Sequence, residues 1–364
     1  MSEGQTRLTR HVAISPLDVL FFRDGRAFDP GSTVSSGLPL PHTLAAAFRS
    51  HLMAQSGCDF AKLGTAIAGG ATLRAALADQ TETMAGIADL RLEGPWLADG
   101  DTTLLPVPAN LRENKDTRGI IRLDPLKETI EGLDPDSGLL PLWHRSTARH
   151  KKLDGYLSAD VLGEVLAGST PDRDSVVSSD ALYMLEPRTG IAIGPDRQTA
   201  ADGMIYAAAL LRLHSGVRFV ATLHGLPPPL ASIFEHPFTM RWGGESRHVR
   251  VEPLTQPPLA SADTLPHREP ERRLLYLATP AVLPRRYAGT QWRPCAAATY
   301  EAIPFSGWDL ARQAPKPLRF AVPAGTVLFF DAADAVWPAD TLLAEGEDRH
   351  LGFGITLTGV WNHA

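Results

Sequence analysis

Glu186-Pro187-Arg188-Thr189-Gly190-Ile191-Ala192-Ile193-Gly194-Pro195-Asp196-Arg197-Gln198-Thr199-Ala200-Ala201-Asp202-Gly203-Met204-Ile205-Tyr206 is the stretch whose reading decides the fold. It opens with a charged turn. A short strand follows, with Ile191 and Ile193 on one face. A polar loop carrying Arg197 leads into an apolar strand from Met204 to Leu213. Arg188 and Arg197 flank one small hydrophobic strand, an arrangement that offers fixed guanidinium donors to a phosphate chain. The same residues also read as a surface hairpin with solvated charges. Glu186 and Asp196 lie next to arginines, so ion pairing fits them better than metal binding.

Around that stretch lie 364 residues, enough for two domains. Apolar residues make up 44%, so a sizeable core is expected. Net charge is −6, which excludes a globally basic nucleic-acid binder and leaves any phosphate contact to local arginine clusters. Cys58 and Cys295 are far apart and match neither a metal spacing nor a disulfide framework. The first residues lack the apolar core of a signal peptide. No run approaches the roughly 18 apolar residues that span a bilayer. A soluble, cytoplasmic protein is expected.

N-terminal to the central stretch, His11 to Phe22 reads as a first strand interrupted by Pro16. Arg23-Asp24-Gly25-Arg26 is a turn, and residues 29–37 form a loop. A helix follows from Thr43 to Met53 with Thr43 as N-cap. Leu44, Ala47, Phe48 and Leu52 share its buried face, and Arg49 lies off it. Strand, turn, loop and helix in this order begin a ferredoxin-like unit. One or two short helices fill 61–85, and the Asp99-Gly100 turn makes a hairpin. From Asn110 to Val177 the pattern dissolves. It contains Trp143-His144-Arg145-Ser146-Thr147-Ala148-Arg149-His150-Lys151-Lys152, the most basic patch of the chain. Aromatic and cationic side chains together suit single-stranded nucleic acid, and a solvated loop is the alternative. Ser158 caps a short helix to Leu166.

On the C-terminal side, Val217 to Leu223 is a strand, and Val249 and Val251 belong to an edge strand after a glycine turn. Five prolines between 253 and 270 mark a linker. The expected domains are 1–256, with an insertion at about 110–180, and 272–364, joined by 257–271. The last segment carries Gly352, Gly354 and Gly359 around a strand. Glycine turns of this kind bring backbone N–H groups close to a ligand or to another backbone.

The sequence holds no metal-ligand cluster, phosphate loop of the Gly-Lys-Ser/Thr type, Gly-x-Ser-x-Gly or His-Glu-x-x-His. His42, at the helix entry, is a candidate general base for RNA cleavage, but its partner acid is not evident. A lone histidine there is more often a cap or surface residue. A binding or scaffolding role is favoured.

Five stretches in order resemble one family. Pro16 to Phe28 resembles the opening of the third-subunit family of the Cmr complex, the type III-B CRISPR effector. Pro39 to Ser50 resembles its helix, and Glu186 to Tyr206 its central motif. Gly307 to Leu310 with Val322 to Val327 resembles its C-terminal half, and Gly352 to Trp361 the glycine-rich ending of the repeat-associated RAMP proteins. Ala46 stands where glycine is usual and Ala27 where proline is common. The 110–177 region finds no counterpart.

The resemblance implies an α+β fold of two ferredoxin-like (RRM-like) RAMP domains with inserted loops or a hairpin. It implies a non-catalytic subunit in antiviral defence that binds the 5′ repeat-derived tag of the crRNA and docks the large polymerase-like Cmr subunit. It also implies other RAMP subunits and target RNA nearby, and a nucleotide near the large-subunit junction. No cofactor of the chain's own and no membrane are expected. Carried onto this sequence, the RNA-binding set is Arg23, Arg26, His42, Arg49, Arg188, Thr189, Arg197, Gly352, Gly354 and Gly359, with Asp24 and Thr43 alongside. An inserted thumb-like hairpin is implied too, supplied by the Trp143, His144, Arg145, Lys151 and Lys152 patch or by the Arg188–Arg197 region. A RAMP-type endoribonuclease using His42 and a protein-only scaffold are the competing readings.

Overall fold

The computed structural model describes residues 8–23, 33–127, 138–145, 147–193, 200–259, 272–283, 294–309, 314–331, 344 and 346–363. It is a mixed α/β structure whose sheets contain antiparallel pairings, with Thr33–Ser35 joined in parallel to Ala200–Leu213. The chain forms two compact units, each drawn from three stretches. The first takes Met1–Pro95, Leu182–Pro257 and Pro304–Phe320; the second takes Trp96–Ala181, Pro258–Ile303 and Ala321–Ala364. The chain leaves the first unit for the second within the strand Arg91–Asp99. The proline-rich 260–271 lies outside the described residues. No described helix is long and apolar enough to cross a membrane.

In the first unit the strand Leu8–Pro16 lies between Val217–Leu226 and His248–Leu254. Arg91–Asp99 flanks one side and Phe238–Arg241 the other. The expected first strand stops at Pro16, which has no N–H for a ladder. His248–Leu254 is paired on both sides, so it is an interior strand and not the expected edge. Its alternation of buried Val249 and Val251 with exposed His248 and Arg250 comes from a sheet with one packed face, which interior antiparallel strands share.

The helix Pro41–Gln55 starts two residues before the expected Thr43 cap. Pro41 fits the first helical position because its missing N–H is not needed there. Thr43 lies inside the helix, where its hydroxyl donates to the Leu40 carbonyl at 2.8 Å and accepts from Trp242 Nε1 at 3.2 Å. Leu44, Phe48 and Leu52 are buried, with Phe48 near Phe234 and Trp242 edge-on to Phe219 at 5.2 Å. Three short helices follow, Phe60–Ala68, Leu73–Ala78 and Glu82–Ala88, capped by Asp59, Thr72 and Thr81.

The central stretch is a long hairpin, Tyr183–Ile193 against Ala200–Leu213, with Thr33–Ser35 added in parallel inside the expected 29–37 loop. Glu186, Pro187 and Arg188 therefore lie within a strand and not in a turn. Their partners Leu210, Ala209 and Ala208 set the register, and Leu210 packs with Val19, Phe21 and Ala208.

The second unit has a four-stranded sheet in the order Ala296–Ala298, Val327–Asp331, Arg272–Leu277, Thr356–Val360. Tyr276 is fully buried, and its hydroxyl donates to the Pro106 carbonyl at 2.6 Å; burial pushes its phenol well above the ordinary value. Trp361 Nε1 donates to the carbonyls of Arg273 and Phe330, and its ring meets Phe329 edge-on. The region without sequence pattern holds short strands, among them Ile120–Arg122, Leu111–Asn114 and His150–Lys152 in one sheet. It also holds the helix Ala159–Leu166, which has Ser158 as its expected cap.

Candidate nucleic-acid interface

The described candidates fall into exposed cations, half-buried groups and residues committed to the interior. Arg26, Arg197 and Asp24 lie outside the described residues. Arg23 is exposed. Arg188 is partly exposed on its strand, and Thr189 beside it is exposed.

Arg188 belongs to a charged ring on the first unit. Its Nη2 lies 2.8 Å from Glu186 Oε1 and 3.4 Å from Asp18 Oδ2. Arg212, from the second strand of the hairpin, pairs closely with Glu186 Oε2 and reaches Asp18 Oδ1 at 3.0 Å. Arg247, in the turn before His248–Leu254, lies 3.7 Å from Asp18 Oδ2 and 3.0 Å from Glu245. Burial pulls the Asp18 carboxyl upward. The hydrogen bond from Arg212 and the charges of Arg212 and Arg188 outweigh it and hold the group below the usual carboxylate range. Hydrogen bonds from Arg212 and Arg188 likewise lower Glu186. Sequence reading named Arg188 but missed Asp18, Arg212 and Arg247. Asp18 and Arg212 are single charges within apolar runs and Arg247 follows a glycine turn, and they become a cluster only once three elements meet.

On the second unit the basic patch is exposed at Trp143 to Arg145, at Thr147 and at Arg149 to Lys152; Ala148 is half-buried and Ser146 lies outside the described residues. Trp143 is 48% exposed on a two-residue strand paired with Asp124–Pro125. Lys152 stands over the Tyr300 ring at 4.4 Å and pairs with Asp154 at 2.9 Å. Lys151 lies 3.3 Å from Glu113, a buried carboxylate also met by Arg118 at 2.8 Å and Arg173 at 3.8 Å. Within the patch His150–Lys152 is a strand tied to the buried Glu113 through Lys151, with His144 and Arg145 exposed beside Trp143.

His42 is half-buried, its ring 5.3 Å from that of Phe305. Arg49 is on the buried face of its helix, 6% exposed, and donates to the carbonyls of Ala88 and Leu90. The expectation that it lies off that face is corrected. Its long stem packs inward and its head satisfies carbonyls at the end of the Glu82–Ala88 helix.

The terminal glycines are also interior. Gly352 and Gly354 have φ of 93° and 73°, conformations that favour glycine. Their N–H groups donate to Arg349 and Pro280 carbonyls, and the Gly352 carbonyl accepts from Thr279. A Cβ on Gly359 would meet the Leu166 carbonyl oxygen at 2.6 Å. These glycines allow backbone to approach backbone, and the Gly352 and Gly354 amides are already donated within the chain. Among the described residues no group of three or more His, Cys, Asp or Glu could hold a metal ion.

A family model described as "CRISPR-associated protein (Cas_Cmr3)" matches residues 12–361. Among solved structures, the fold is similar to a chain of the "Type III-B Cmr-beta bound to cognate target RNA", with a TM-score of 0.51 and 15% identity over 88% of this chain and 86% of that one. The same assembly with AMPPnP, state 1, gives 0.50 and 14% over the same shares. At such identity the likeness is one of fold. None of the curated proteins matches the chain.

Proposed function

The chain belongs to the Cas_Cmr3 family of CRISPR-associated proteins, and from that premise we propose that it is the type III-B effector subunit that holds the 5′ repeat-derived tag of the guide RNA. In this reading it cuts no RNA itself and docks the large polymerase-like subunit beside other RAMP subunits. The family match over nearly the whole chain carries the proposal. The similar fold in a Cmr-beta assembly described as bound to target RNA supports it. We read the two compact units as two ferredoxin-like domains, with residues 110–180, which fall within the second unit, as structure added to that plan. The nucleotide near the large-subunit junction belongs to the same reading, and the similar assembly is described with AMPPnP.

The exposed cations suit the role. Arg23, Arg145, Lys151, Lys152 and Arg188 place positive charge at the surface of an otherwise acidic chain, and Trp143 offers a stacking face with His144 beside it. Arg49 and the terminal glycines are committed to bonds within the chain and support the exposed cations indirectly.

The test is binding of the assembled effector to guide RNA with an intact or a scrambled tag across a salt series. Tag-dependent affinity that falls steeply with salt, with a crosslink on this chain, is expected. Equal binding of both guides with no adduct on this chain would favour the protein-only scaffold. Defined cleavage of repeat RNA by the wild type, lost in His42→Ala, would favour the endoribonuclease.

A further inference from the structure

We propose that Arg188, Arg212 and Arg247 form a phosphate-binding site whose resting occupant is the protein's own Asp18 carboxylate, displaced when an RNA phosphodiester enters. The inference rests on the guide-RNA reading and extends it to two arginines that the sequence motif does not contain.

Three guanidinium groups from separate parts of the chain converge on one carboxylate. Arg188 and Arg212 come from the two strands of the hairpin, and Arg247 comes from the turn at 242–247. Asp18 divides its oxygens among them, Oδ1 to Arg212 and Oδ2 to Arg188 and Arg247. A phosphodiester also presents two charged oxygens and one negative charge, so exchange conserves the local balance. Guanidinium forks match either group.

The contacts are unequal, and the inequality identifies the exchangeable member. Glu186 is held at 2.8 Å by Arg188 and still more closely by Arg212. Asp18 is held at 3.0, 3.4 and 3.7 Å. Its side chain is 50% exposed, against 26% for Glu186. Arg188 and Arg212, at 40% and 37%, are open to solvent on the same cluster. Glu186 therefore fixes the two arginines, while Asp18 covers their outer donors and screens them from stray anions. Several adjacent phosphates on one RNA strand outcompete a single loose carboxylate; isolated phosphate ions do not.

The experiment measures full-length protein binding to a single-stranded RNA oligonucleotide without the tag, for wild type, Asp18→Asn, Arg212→Gln and Glu235→Gln. Asp18→Asn keeps the side-chain shape and removes the competitor. It is expected to bind about two- to fivefold tighter at low salt, the scale of one exposed charge pair. Arg212→Gln is expected to bind more weakly. Glu235→Gln removes an equal charge from an exposed position elsewhere in the first unit and controls for net charge. Thermal unfolding of each variant guards against misfolding.

If Asp18→Asn binds no tighter than Glu235→Gln, or more weakly than wild type, Asp18 is a structural tie and the site is rejected. If Asp18→Asn loses its fold, an Arg188→Lys variant decides: unchanged RNA affinity rejects the site, and a loss retains it. Tag recognition is read separately, from the ratio of tagged to tagless affinity in the wild type. A ratio of one removes the tag reading and leaves the anion site to its own outcome.

Discussion

The guanidinium of Arg49 reaches the carbonyl oxygen of Ala88 at 3.0 Å, joining the long helix to the end of a short one 39 residues on. A second bond goes to Leu90 at 3.3 Å. Replacing Arg49 with Met keeps the stem and removes the head, so two carbonyls lose their donor. A loss of about 1–3 kcal/mol is expected, read as a lower denaturant midpoint, with RNA affinity of the folded fraction unchanged. A loss of RNA affinity at unchanged stability would return Arg49 to the interface.

Gly359 faces the last residue of the Ala159–Leu166 helix. Gly359→Ala would press a methyl against the Leu166 carbonyl at 2.6 Å and against Leu274 Cδ1 at 2.9 Å. Neither a backbone carbonyl nor a buried leucine yields freely. The variant is expected to be destabilised by about 1–3 kcal/mol, the usual scale of overpacking, and a thermal melt matching the wild type would count against tight packing there.

His51 stacks on Phe238 at 4.7 Å with nearly parallel rings, and burial lowers its imidazole below the ordinary value. The unfolded chain takes up this proton near pH 6.5 and the folded one resists it. Stability therefore falls as pH drops below about 6.5, because the unfolded state binds more protons. His11, lowered by burial and by the charge of His224 against an opposing Glu93, adds in the same direction. Urea midpoints at neutral and mildly acidic pH should converge in His51→Phe. An unaltered pH slope would exclude His51 as a source.

Glu113 is 5% exposed in its side chain and neutralises cations on three segments. Glu113→Gln should cost about 1–3 kcal/mol, below the range for a fully buried pair because Arg118 and Lys151 reach water. Comparing urea midpoints of the variant and wild type checks this.

Arg145 and Lys152 are exposed, and in the guide-binding reading each meets a phosphate. Arg145→Gln with Lys152→Gln should lower the salt slope of RNA binding by about 1.4, from roughly 0.7 per phosphate on a single strand. A slope equal to the wild type would remove both from the interface.

Local chemistry was legible where it acts within a few residues. The Asp99-Gly100 hairpin and the Ser158 cap are short-range signals, and both stand in the structure. The long helix was legible as an element but its start was not, because Thr43 and Pro41 are both good starting residues and the Thr43 hydroxyl turned to Leu40. Long-range placement was out of reach. Thr33–Ser35 is a strand only because Ala207–Ala209 lies beside it. Arg49 looked like a surface charge because helical periodicity cannot foresee carbonyls 39 residues away. Arg188 was visible and the ring around it was not, since Asp18, Arg212 and Arg247 meet only after three elements have paired.

The three-stretch weave of each unit limits how this protein can be made and dissected. Emergence from the ribosome delivers Met1–Pro95 before Leu182–Pro257, and Pro304–Phe320 later still. Neither half can close on a nascent chain the way consecutive domains do. No single cut yields an autonomous fragment, so genetic truncation will report on the whole molecule, and a permuted gene would have to respect six interlaced lengths of polypeptide.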